Sequence, residues 1–132
     1  MKKFFIGLFR LPIIWQIWSF FILSVNGLGS LFFLDESVAI VLLVSTVMSA
    51  VVGFILVSVQ GFTKLVGLMH APWVPALVLQ LMVFFNESPE GVFAIWLLAS
   101  IFTIAVSLAI DTVDVILFLK GNKTDLLDSP RA

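Results

Sequence analysis

The 132-residue chain is 61% hydrophobic and 11% charged, with mean hydropathy +1.22 and formal net charge −1. Soluble domains carry about 45–50% apolar and about 25% charged residues, so an ordinary soluble fold is excluded. The absence of cysteine excludes disulfides, thiolate metal sites and a catalytic thiol, and the charge balance gives no signal for nucleic acid.

Residues 1–11 read as a short amphipathic helix lying in the headgroup region. At helical spacing Lys3, Gly7 and Arg10 share one face, and Phe4, Phe5, Leu8 and Leu11 cover the other. Pro12 then breaks the helix. A cleaved secretory signal is the rival reading, with small residues at Gly27, Gly29 and Ser30. Arg10 interrupts the apolar region of such a signal, and no Ala-x-Ala site follows.

The first predicted span covers 13–34. Trp15 and Trp18 stand near its start, where interfacial aromatics belong. Deeper lie Asn26, read as a cross-helix hydrogen bond or a pathway residue, and Gly27 and Ser30, read as close-packing positions. An acidic turn, Asp35-Glu36-Ser37, leads to a second span over 38–59. That span carries Ser45, Ser49 and Gly53 at spacing four, a stripe that lets another helix approach. The third span, 65–85, contains His70-Ala71-Pro72-Trp73-Val74-Pro75. Each proline removes a backbone donor and disfavours helix just before it, so a kink or break is expected near Pro72 and Pro75. Gln80 lies inside this span and is expected to face another helix.

A second acidic turn, with Glu87 and Glu90, precedes the fourth span, 92–119, with Trp96 near its outer interface. Ala99, Thr103 and Ser107 form another spacing-four stripe, expected to meet the Ser45/Ser49/Gly53 stripe. At ~1.5 Å per residue this run reaches about 42 Å, against a hydrocarbon core of about 30 Å. Asp111 and Asp114 therefore fall at the far edge of the membrane. The tail, 120–132, is polar. The expected fold is a single all-α membrane domain over 1–132, with four spans after an interfacial helix.

With four spans, all seven basic residues fall on one side: Lys2, Lys3, Arg10, Lys64, Lys120, Lys123 and Arg131. The other side has only Asp35, Glu36, Glu87 and Glu90. Basic excess marks the cytoplasm, so both termini are expected inside. Such a split argues against a chain that inserts both ways, as several four-span exporters and fluoride channels of this size do. Multidrug exporters of this size carry a carboxylate in their first span, where this chain has only Gln16 and Asn26.

This orientation gathers Lys64, His70, Asp111 and Asp114 at one cytoplasmic edge, with Gln16 and Gln60 at a similar level. Asp111 and Asp114 are three apart and project from one helix face. Lys64 or His70 is the expected cation. The cluster reads as a structural ion pair or as a proton-responsive, cation or lipid-headgroup site. No motif for metal, phosphate or nucleophilic chemistry is present, and no cofactor is expected.

The stretch from Gly61-Phe62-Thr63-Lys64 to His70-Ala71-Pro72-Trp73-Val74-Pro75, with Asp111-Thr112-Val113-Asp114-Val115 and Phe118-Leu119-Lys120-Gly121-Asn122, is similar to small four-span inner-membrane proteins of proteobacteria. The resemblance implies a bacterial inner-membrane location and carries over no functional residue. Three functions remain in view. The first is a small self-associating or accessory subunit, motivated by the small-residue stripes. The second is an oligomeric transporter or channel with the polar cluster at its cytoplasmic mouth. The third is an interfacial enzyme using His70 with Asp111 or Asp114, for which no catalytic motif is found. The expected partners are the bilayer and either a second copy or a larger membrane complex.

Overall fold

The structure, a computed structural model, describes residues 2–123; the rest of the expected polar tail, Arg131 included, lies outside them. No strand occurs among the described residues. The order is α1 (Lys2–Arg10), α2 (Ile13–Leu23), a π-helical turn (Ser24–Leu28), a 3-10 turn (Gly29–Phe33), α3 (Ser37–Gln60), a 3-10 segment (Lys64–His70), α4 (Trp73–Glu87) and α5 (Gly91–Leu119). Three stretches, Ile13–Phe33, Ser37–Gln60 and Gly91–Leu119, are each long and apolar enough to cross a membrane. Lys64–His70 and Trp73–Glu87 pass that test only together, and they meet at a 45° bend. The chain is a multi-pass helical membrane protein with three such helices, or four if the bent pair is one span.

The bend has a local cause. Pro72 and Pro75 have no N–H to give to a carbonyl four residues back. The chain closes instead over three residues, with Ala71 N–H donating to Leu68 O at 3.0 Å and Val74 N–H to Ala71 O at 3.1 Å. Upstream, Gly61 ends α3 at φ 75°, a left-handed conformation that glycine adopts without steric cost.

The first span is not a uniform helix. It widens at Ser24–Leu28, where Gly29 N–H donates to Ser24 O, and then tightens. Val25 O accepts the Trp96 indole N–H at 2.9 Å. A Cβ on Gly29 would lie 2.5 Å from that indole nitrogen, so only glycine admits the ring there. Trp96 is consequently buried between α2 and α5 and stacked on Phe33, with ring centroids 5.0 Å apart. Its place is inside the bundle and not at the outer interface expected from the sequence. Gly27, read as a close-packing position, is not one: a Cβ there would meet only ordinary contacts, 3.4 Å from Leu23 and 3.9 Å from Thr46.

The two small-residue stripes do not pack on each other as expected. The 3-10 segment packs against both α3 and α5, and those are its main neighbours. Gly67 makes the contact with α5: a Cβ there would stand 3.1 Å from Asp111 O and 3.2 Å from Asp111 Cα, and helix backbone cannot yield. Gly53 faces Met69 and Phe4 instead of α5. Helix α1 folds back onto this end of the bundle. Phe4 meets Phe54 edge-on at 5.2 Å, and Gly7 seats directly on the Phe62 ring. Gly7, expected on the polar face with Lys3, is thus the buried contact, because only a residue without Cβ lets that ring approach.

Candidate functional site

Two polar regions lie about 16 Å apart along α5, from Ser100 to Asp111 at ~1.5 Å per residue. The first is closed. Asn26, at the π-helical turn, donates from Nδ2 to Ile22 O at 2.9 Å and to Thr103 Oγ1 at 3.1 Å. Its Oδ1 accepts from Ser100 Oγ at 2.5 Å, and Ser100 Oγ accepts from Gln80 Nε2 at 2.6 Å. Ser30 Oγ donates to Asn26 O at 2.6 Å. Asn26, Gln80 and Ser100 are each 0% exposed. The knot therefore ties α2, α4 and α5 together, and its one unmatched atom is Gln80 Oε1.

The second region lies at the end of the bundle that carries Lys64. It brings together all four residues of the expected cluster. His70 Nδ1 and Asp111 Oδ2 are 2.5 Å apart, and Lys64 Nζ donates to Asp114 Oδ1 at 3.4 Å. The ring of His70 stacks on Trp73 at 4.5 Å, and Trp73 Nε1 donates to Thr46 Oγ1 at 3.2 Å. A line of contacts from α5 through the 3-10 segment and α4 to α3 thus orients the imidazole. Gln16 caps α1 by donating to Phe9 O and Leu11 O, and Gln60 is exposed at the end of α3.

A cavity of about 560 Å³ opens beside these groups. Its walls are mostly apolar and aromatic, with Phe4 from α1, Trp15 and Trp18 from α2, Phe54 from α3 and Trp73 from α4. His70, Asp111, Lys64 and Asp114 line it as well, as do Ser49 and Ser107. Those two serines come from the two stripes that were expected to touch; they border a common space instead. Ser49 and Ser107 are 2% and 3% exposed, and neither hydroxyl has a hydrogen-bond partner. Buried hydroxyls without partners are uncommon in folded proteins and call for an explanation.

Sequence reasoning missed Ser100, which joins Asn26 to Gln80, and Gly67. Ala99, placed in the spacing-four stripe, is only half-buried, whereas Ser100, Thr103 and Ser107 are all buried. Their three- and four-residue spacing marks one helical face, and that signal was present in the sequence. Among the described residues no group of three or more His, Cys, Asp or Glu could hold a metal ion. No family model, curated protein or solved structure matches the chain, so its geometry carries the reading.

Proposed function

We propose that the chain is a four-span protein of a bacterial inner membrane, with both termini in the cytoplasm and α1 lying at the cytoplasmic interface. It acts as a small accessory subunit that binds a ligand in the cavity at its cytoplasmic end. The observation that carries this reading is the pair of unpartnered hydroxyls, Ser49 and Ser107, beside His70–Asp111 in a cavity with aromatic walls. About 560 Å³ falls in the range of small-molecule sites. Self-association through the stripes is less well supported. Ser45, Ser49, Gly53, Thr103 and Ser107 are buried within one chain and offer a second copy no small-residue face.

Titrating the full chain in nanodiscs with 4-phenylbutanol, read by tryptophan emission, tests the cavity. A saturable change is expected, lost in Ala50→Phe, which places a ring in the cavity wall. A linear response, identical in both proteins, sinks the reading. The orientation is tested separately, on a background free of native cysteine. An impermeant maleimide added to whole cells should label Glu87→Cys and spare Gln60→Cys; the opposite pattern reverses the topology.

A second reading, a transporter, draws on the break in the bent pair, since Met69, His70 and Trp73 border the cavity and interrupted helices line many substrate sites. It expects flux in liposomes that is lost in Asp111→Asn. An inactive wild type across a broad ion panel removes it.

A further inference from the structure

We infer that the cavity takes a lipophilic primary ammonium: a protonated amine attached to an apolar or aromatic body. The inference rests on the ligand-binding reading above and adds the chemical class. Lys64 compensates Asp114. Asp111 has only His70, and a neutral imidazole donating Nδ1–H leaves the four groups with one net negative charge. The hydrogen bond from His70 uses Oδ2, and Oδ1 has no hydrogen-bond partner among the described residues. A primary ammonium offers three N–H donors. One reaches the free carboxylate oxygen, and the hydroxyls of Ser49 and Ser107 have unused acceptor lone pairs for the others. The body of the amine meets aromatic faces, whose π-electrons also favour a nearby cation. An anion is disfavoured by the net charge. A neutral apolar molecule leaves the hydroxyls and the carboxylate as they are.

The decisive experiment uses the full chain in phosphatidylcholine nanodiscs and three probes of one shape: 4-phenylbutylamine, 4-phenylbutanol and 4-phenylbutyrate. The amine is expected to bind most tightly and the carboxylate most weakly. Asp111→Asn should weaken amine binding about tenfold or more, the worth of one charge-assisted hydrogen bond, and leave alcohol binding unchanged. The double variant Ser49→Ala/Ser107→Ala, which removes no partnered group, should weaken the amine several-fold and decides the matter if Asp111→Asn fails to fold. Equal affinity for amine and alcohol, or an amine affinity unmoved in the variant that folds, overturns the ammonium assignment while ligand binding stands. Saturable binding of none of the three overturns both. Adding phosphatidylethanolamine to the nanodiscs separates the two sources of a primary ammonium. Competition assigns the site to a lipid headgroup, and its absence to a free amine.

Discussion

The Asn26–Ser100–Gln80 knot and the His70–Asp111 cavity are built from similar polar residues, yet they satisfy them differently. In the knot each hydroxyl and amide but one finds a partner on another helix, and the region is sealed. In the cavity two equally buried hydroxyls find none. An unsatisfied polar group away from water costs free energy that a matched one does not. The difference teaches that the knot holds the bundle together, while the other end keeps binding capacity unspent.

Substitutions sort along this contrast. The largest effect is expected from Gly67→Val at the seam between the regions, where a side chain would meet the Asp111 backbone; overpacking there should cost about 3 kcal/mol. Thermal unfolding in detergent would show it, and wild-type behaviour would mean the 3-10 segment can move off α5. Asn26→Leu comes next. It removes two interhelical hydrogen bonds and should destabilise by about 2 kcal/mol, at roughly 1 kcal/mol per bond in a membrane. Lys64→Ala should cost about 0.5 kcal/mol or less, because its side chain and that of Asp114 are 37% and 34% exposed. Smallest of all is Ser107→Ala, expected within about 0.5 kcal/mol of wild type and on the stabilising side, since it removes an unmatched hydroxyl. Measured beside Ser100→Ala, which should destabilise, it tests the contrast directly; equal losses at both serines would erase it.

Much of this was legible in the residues. Length and hydropathy gave the helices, Pro72 and Pro75 gave the break, and basic asymmetry gathered Lys64, His70, Asp111 and Asp114 at one level. What stayed hidden depends on contacts between distant residues. A spacing-four rule finds small residues but not their neighbours, so the two stripes were paired with each other when a 3-10 segment separates them. The π-helical turn was equally hidden, because its partner, the Trp96 indole, lies 71 residues further on. The cavity was invisible for the same reason: its wall comes from α1, whose docking depends on Gly7 meeting Phe62.

The reach of the Asn26 bonds has a bearing on biogenesis. Its side-chain partners Ser100 and Thr103 stand 74 and 77 residues later in the chain, so the ribosome completes the first three hydrophobic stretches before they exist. Until then a polar amide must be kept from hydrocarbon, where an unmatched polar group is expensive. The first span therefore has reason to linger at the insertion machinery until the last one is delivered, so that the bundle closes as a unit. A chain truncated before Ser100 should be recognised as unfinished by membrane proteases.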